Sequence, residues 1–368
     1  MPNLSRKKIY FDWPTFGLIA ALASIGLLFV WSATYKPDLP FSLFFKKQLF
    51  GVISGLTIYL ICSFADYRPV MRWGYFCYFC ALGLLLFTII KGSIGMGAQR
   101  WINLGIIKVQ PSELAKLLLP PFITYYLYTE NELFLFKNRT FVPILIILGI
   151  SAILILKQPD LGTALILSFS GIASLWMAGL NKKWFIYGLL ALVISTPLLW
   201  CSLKPYQKNR ITVFLGQGET RKERYQIEQS TIAIGSGGIT GKGFLRGTQN
   251  KLQFLPESRT DFIYSVICEE RGLLGALLIL LLYALLFYRL FTRIAQLPKA
   301  WTQLFASGFI IHIVISTIIN IGMVLGLLPI VGIPLPLISY GMSNLWITFA
   351  SLGICQSILM HRQSTYQL

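Results

Sequence analysis

Seven ionisable side chains stand inside or at the ends of long apolar runs: Glu113, Lys116, Asp160, Asp261, Glu269, Glu270 and Arg271. Charges in such surroundings are costly to hold and are usually kept for work. Glu113 and Lys116 are three residues apart, so on a helix they share a face and can pair. Pro111 suits the first turn of that helix, and Glu113 suits its positive end. The pair serves either to fix helix packing or as part of a polar cavity. Asp261 is a lone acid where Phe254-Leu255-Pro256-Glu257-Ser258-Arg259-Thr260 gives way to the next apolar run. An ionised carboxylate at such a boundary can take a proton from an attacking hydroxyl as a general base. Equally, an Asp before an apolar helix is a common N-cap.

A glycine-rich stretch precedes Asp261: Gly235-Ser236-Gly237-Gly238, then Gly241-Lys242-Gly243 and Gly247-Thr248-Gln249. It is not a nucleotide-binding P-loop. Ser236 stands where that pattern needs glycine, and Gly243 where it needs Ser or Thr. The dinucleotide fingerprint fails at Thr240 for the same reason. Two readings remain. The glycines, with Lys242 and Arg246, present backbone N–H groups to an anion such as a pyrophosphate, or they only permit tight turns.

These residues need a scaffold, and composition names its class. Of 368 residues, 55% are hydrophobic and 12% charged, with a mean hydropathy of +0.67. A soluble domain averages about 25% charged residues. Half that charge leaves too little polar surface for a dissolved enzyme of this size, and disordered or fibrous chains are excluded too. Apolar runs at 15–34, 48–64, 73–90, 112–128, 141–156, 161–180, 184–202, 262–288, 301–322 and 343–360 compare with the roughly 20 residues that span a bilayer. They predict an all-α polytopic membrane protein with about ten transmembrane helices, a single membrane domain over residues 1–368. The first run follows Arg6-Lys7-Lys8 and lacks a small-residue cleavage pattern, so it reads as a retained helix. Pro120-Pro121 predicts a kink in the fourth helix. The stretch Gly326–Gly341, with Pro329, Pro334 and Pro336, predicts an irregular segment buried in protein.

An even number of spans puts both termini on one side, here the cytoplasm. The inner segments then carry 13 basic residues and the short outer loops seven; ten more fall in one long extracytoplasmic loop, 203–260, between helices 7 and 8, where the positive-inside rule has little hold. In this arrangement Glu113, Asp160 and Asp261 each begin a helix descending from the outer face, with Arg100 and Trp101 in an outer loop. A transporter is expected to gather such groups near the midplane, so their level points to work at the outer surface. The net charge of +18 points to anionic lipid or a phosphate-bearing substrate, with no nucleic acid. Cys77 and Cys80 form a CxxC, but the only two histidines, His312 and His361, are remote, which argues against a metal or redox site.

Several segments together resemble the SEDS family (shape, elongation, division and sporulation), its RodA branch more than its FtsW branch. They are Gly97–Ile102, Gln110–Lys116, Gln158–Ala164, the Gly235–Gly243 run, Phe254–Ile263, Glu269–Gly272, and Gly332–Pro336 with Ser339–Gly341. Lys242 and the Gly247-Thr248-Gln249 triplet carry the RodA likeness. The chain departs from the family pattern at Arg259, where His is usual, and at Met342 and Asn344, where small residues are usual. The resemblance implies an inverting glycosyltransferase that polymerises lipid II at the outer leaflet of the cytoplasmic (inner) membrane and releases undecaprenyl pyrophosphate, in cell elongation and shape maintenance. It implies a class B penicillin-binding protein and other elongation-complex membrane proteins as partners. Asp261 is then the essential acid, and Trp101, Glu113, Lys116 and Asp160 line a polar cavity beneath it. Lys242, Arg246 and Arg100 are candidates to hold the pyrophosphate, with a divalent cation (Mg2+ or Mn2+) as the alternative and no other cofactor. Gln249 and Glu257 complete the candidate substrate-binding set. A lipid II transporter and a scaffold that recruits a transpeptidase are the competing readings.

Overall fold

A computed structural model of the chain describes residues 11–38, 40–95, 98–103, 108–130, 138–202, 208, 210, 212–213, 221–252 and 254–361. The helices are α1 (Trp13–Thr34), α2 (Leu43–Phe64), α3 (Tyr67–Lys91), α4 (Pro111–Glu130), α5 (Asn138–Lys157), α6 (Leu161–Met177), α7 (Lys182–Ser202), α8 (Arg221–Ser236), α9 (Thr248–Lys251), α10 (Ile263–Ala295), α11 (Ala300–Val324) and α12 (Met342–Met360). The ten predicted apolar runs coincide with α1–α7 and α10–α12, and seven of these helices are long and apolar enough to cross a membrane. To this helical plan the structure adds a small antiparallel sheet between α3 and α4, in the order β1 (Ser93–Gly95), β2 (Ala98–Asn103), β3 (Lys108–Val109).

Helix starts follow the local sequence. Asp12, Ser42, Asp66 and Asp160 cap α1, α2, α3 and α6, each side chain accepting from an amide of the first turn, which satisfies a donor the helix cannot. The surface is apolar and the interior partly polar. Phe50, Ile61, Ile90, Ile153 and Leu274 are exposed, whereas Gln48, Glu113, Lys116, Ser151 and Asn320 are buried. Lipid as the outer solvent gives this inversion. The protein is therefore multi-pass. One apolar cluster joins α1, α2, α10, α11 and α12, and a second joins α3–α6. α2 and α12 approach closely because Gly353 faces the Tyr59 carbonyl, which a Cβ would meet at 2.6 Å; small residues allow such approach in membranes.

α4 continues through Pro120-Pro121 as one helix, and both rings find room against glycines, Pro120 beside Gly308 and Pro121 beside Gly74. One sequence expectation meets a different outcome in detail. The predicted run 262–288 is not one regular helix. Gly272, at φ 63° and ψ −160°, breaks α10. That backbone region is open only to glycine.

The break also explains the glycine-rich stretch. Around Gly272 the helix leaves backbone groups without partners, and the stretch supplies them. Leu273 and Leu274 amides donate to the Gly238 and Ile239 carbonyls (2.9 and 3.2 Å), and the Lys242 and Gly243 amides donate to the Glu269 and Glu270 carbonyls (both 3.0 Å). A Cβ at Gly237 or Gly241 would overlap the Cys268 or Glu270 carbonyl, and one at Gly272 would overlap the Gly241 amide. The glycines are there for close approach of backbone to backbone, and the Lys242 and Gly243 N–H groups are spent on α10 rather than on an anion.

Gly272→Ala must place a Cβ in a glycine-only conformation, at about 1–3 kcal/mol of strain before any overlap. It should lower the thermal unfolding midpoint in detergent clearly. Gly83→Ala, whose new Cβ meets nothing, should be neutral or stabilising. Equal midpoints for the two variants would contradict the role of the break.

Candidate active site

The residue that the sequence puts first, Asp261, precedes α10 without capping it. Phe262 holds the N-cap position, and no side chain bonds the first turn. The N-cap reading is therefore wrong, and the carboxylate is left for other work. The backbone beneath it is held at three consecutive carbonyls. Arg259 accepts from the Tyr340 amide at 3.0 Å, Thr260 from Ser339 Oγ at 2.5 Å, and Asp261 from Asn320 Nδ2 at 2.8 Å. Asn320 Nδ2 also donates to the Ile333 carbonyl at 2.6 Å, and Ser339 Oγ accepts from the Leu335 amide at 2.8 Å. The irregular segment 326–341 is thus stitched to the approach of α10; residues 335–339 are buried in protein, as are Ile330, Val331 and Ile333, while Leu327 is exposed. Gly332 leaves room at the carboxylate itself, since a Cβ there would come within 3.6 Å of Asp261 Oδ2.

Burial and the neighbouring Glu257 push the Asp261 carboxyl up to about 6, while Arg210 and Arg100 pull it the other way. Asp261 still holds a full charge for most of the time at neutral pH. Arg100 sits between two acids, because its Nη1 also lies 3.7 Å from Asp160 Oδ2. Asp160 is locked in turn: Oδ1 caps Thr163 N of α6 at 3.1 Å, and Oδ2 accepts from Gln110 Nε2 at 2.7 Å. One acid thereby orients the cation that faces the other. Glu257 adopts a left-handed φ of 53°, and its Oε2 accepts from Thr260 Oγ1 at 3.1 Å.

The remaining sequence candidates fall into separate groups. Glu113 and Lys116 form a buried ion pair at 2.7 Å, near enough to α11 for His312 to feel the lysine. Trp101 follows Arg100 on β2, its carbonyl accepting from Ser93 Oγ at 2.9 Å. Lys242 and Gln249 belong to the lock around the helix break. Glu269 Oε1 accepts from Lys242 Nζ (2.7 Å), Thr248 N (2.7 Å), Thr248 Oγ1 (2.9 Å) and Gln249 N (3.1 Å). Glu270 accepts from Ser32 Oγ of α1 and from the Leu245 and Gly247 amides. Arg246 is exposed beside this lock. Sequence reasoning missed Arg210, Asn320 and Ser339 as site-building residues. An asparagine inside the apolar run 301–322 was the signal for Asn320; Arg210 gave none.

A family model described as cell cycle protein, that of FtsW, RodA and SpoVE, matches residues 13–364. The chain belongs to this family. Within it, peptidoglycan glycosyltransferase MrdB of Escherichia coli is 36% identical over 360 residues, 97% of this chain and 95% of that protein. Stage V sporulation protein E of Bacillus subtilis is 33% identical over 353 residues, 92% and 93% of the two chains. Among solved structures, one chain of a peptidoglycan synthase complex superposes with a TM-score of 0.80 at 29% identity, covering 98% of this chain and 100% of that one. Rod shape determining protein RodA of Thermus thermophilus gives 0.71 at 28% identity, covering 98% and 99%. The SEDS likeness read from the motifs and the matched family are the same.

The buried pair on α4 gives a direct test of packing. Lys116→Ala strands the Glu113 carboxylate away from water, which typically costs about 3–5 kcal/mol. The single variant should unfold at a markedly lower temperature than the parent, and the double variant Glu113→Ala/Lys116→Ala should recover part of the loss. A Lys116→Ala protein as stable as the parent would remove the pair from the account.

Proposed function

We propose that this membrane protein is a peptidoglycan glycosyltransferase that polymerises lipid II into glycan strands in cell elongation and shape maintenance, with Asp261 as general base. The observation that carries the residue assignment is the uncapped Asp261 carboxylate, fixed by three backbone hydrogen bonds and faced by Arg100 and Arg210. Its place before α10, rather than mid-helix, supports chemistry at the membrane surface over transport through it. In the reading that fits, 203–260 is extracytoplasmic, both termini are cytoplasmic, and the site opens to the outer leaflet.

The leaving group, a polyprenyl pyrophosphate, departs as an anion and needs cations rather than an acid. Arg100 and Arg210 supply that charge where it develops. The demanding step is removal of the proton from the acceptor sugar's 4-hydroxyl. That oxygen bonds to the donor's anomeric carbon as the bond from this carbon to the pyrophosphate oxygen breaks, and the proton passes to Asp261. One displacement inverts the configuration, from α in the donor to β in the glycan. A positioned base contributes about 10²–10⁴-fold. Among the described residues no three of His, Cys, Asp and Glu converge. Glu257, the acid beside Asp261, is the residue here that would help to hold a Mg2+ or Mn2+ ion, which would supply positive charge to the departing pyrophosphate. Lys242, tied to Glu269, is less suited to the pyrophosphate than Arg100. One chain of a peptidoglycan synthase complex that coordinates polymerization and crosslinking resembles this chain, which supports a class B penicillin-binding protein as partner.

Two outcomes follow at Asp261. A base must be ionised, so kcat/KM should rise with pH through about 6 and level off above it. A carboxyl raised from 3.8 to about 6 in the fold adds to stability below 3.8 and loses that contribution as pH climbs through 6. Asp261→Asn should therefore be at least as stable as the parent at pH 7 and yet make no polymer from labelled lipid II in detergent. A folded Asp261→Asn protein that polymerises at near the parental rate would overturn the assignment.

A further inference from the structure

Arg259 is one of the three residues at which this chain leaves the family pattern, and the structure gives it an unusual setting. Its guanidinium does not turn toward Asp261, two residues on, where Arg210 and Arg100 act. Its Cζ sits over the Phe44 ring, 3.9 Å from the centroid, and Tyr340 meets the same ring edge-on at 5.5 Å. Among the described residues no acid pairs with Arg259, and its Nε is buried without a hydrogen-bond partner. A guanidinium held in place by an aromatic platform, with its donor fork unfilled, is suited to a phosphate.

The surroundings say what kind of phosphate. Phe44 lies in the first turn of α2, and Lys47, three residues on, shares its face. Lys46 and Lys47 are exposed, and the first turn of α2 holds no acid. Further along the helix the outward side of α2 is apolar and open: Phe50, Ile53 and Ile61 are exposed. A cationic head above an uncovered apolar helix face complements a molecule with an anionic head and a hydrocarbon tail.

The reaction proposed above requires such a place, and the inference rests on that reading. When two lipid-linked sugars are joined, each brings a pyrophosphate. One leaves from the anomeric carbon beside Asp261, within reach of Arg100 and Arg210. The other stays on the acceptor, at the far end of the sugar whose hydroxyl attacks. The same cations cannot hold both. We propose that Arg259, seated on Phe44 and supported by Lys47, binds the pyrophosphate that the acceptor retains, with its polyprenyl chain lying along the open face of α2. Asp261 then stands between two anion sites, one for the group that departs and one for the group that remains.

The test separates this site from the polymerase reading by measuring binding without turnover. In nanodiscs, Asp261→Asn protein titrated with undecaprenyl pyrophosphate should show two binding events. Adding Arg259→Gln should abolish one or weaken it roughly 10- to 100-fold, the loss of a charge-assisted contact, whereas Arg259→Lys should keep part of it. Phe44→Leu, on an exposed ring whose loss leaves the core intact, should weaken the same event. Phosphatidylglycerol in excess should not displace the ligand. With Asp261 restored, Arg259→Gln should raise KM for lipid II and leave kcat little changed, the mark of binding that is equal in ground and transition states. Two unweakened binding events in Arg259→Gln would overturn the proposal, and displacement by phosphatidylglycerol would reduce the site to a general headgroup contact. Absence of polymer from the parent protein would instead sink the polymerase reading, and the titration would still judge Arg259.

Discussion

A backbone amide or carbonyl left unpaired in hydrocarbon costs roughly 2–7 kcal/mol, which is why membrane spans are regular helices. This chain breaks that rule at Gly272, in its longest helix, and much of the rest follows from how the break is made good. The stretch 237–243 lays its backbone against the interruption, and glycine is needed on both sides because nothing larger fits. Glu269 and Glu270, the last residues before Arg271 and the break, then turn their buried carboxylates onto Lys242 and the residues just after it, Leu245 to Gln249, and onto α1 through Ser32. A buried carboxylate is costly alone but stable with several donors. Glu269 has four. The result is a short helical segment, 263–271, bolted at one end, with Asp261 at the other.

The opposite end is secured by different means. Three successive carbonyls, from Arg259 to Asp261, are occupied by Tyr340, Ser339 and Asn320, so the carboxylate is positioned chiefly through its backbone, and the Thr260 hydroxyl also bonds it. The site's charges are arranged in layers. Asp160 holds Arg100, Arg100 faces Asp261, and Arg210 approaches from a distant stretch of sequence. Glu257 opposes the cations and helps to lift the carboxyl toward neutrality. A base near 6 is ionised at physiological pH yet basic enough to take a proton, the compromise that proton transfer favours.

The helices were legible because a bilayer demands long apolar runs, and each predicted run has its helix. The buried Glu113–Lys116 pair was legible from its spacing, and the irregular 326–341 segment from its prolines. What the sequence hid was chiefly long-range. A glycine at 272 gives no local sign of a broken helix until the partner stretch, some thirty residues earlier in the chain, is seen to fill it. Lys242 among glycines suggested phosphate binding because its actual partner, Glu269, lies 27 residues on. Asp261 read equally well as a cap until α10 was seen to begin at Ile263 with no side-chain cap. The small sheet before α4 was missed for another reason: strands of two to six residues are too short for a periodic signal to emerge.

In the proposed reaction one carboxylate, held by its backbone, takes the proton in glycan bond formation. Chemical rescue tests it most directly. Asp261→Ala protein, shown to be folded, is supplied with labelled lipid II and increasing formate at constant pH and ionic strength. The account predicts no polymer without formate and a rate that climbs with formate concentration, because the small anion enters the space beside Gly332 and serves as the missing base. Polymerisation by Asp261→Ala at near the parental rate without formate, indifferent to its addition, would contradict it.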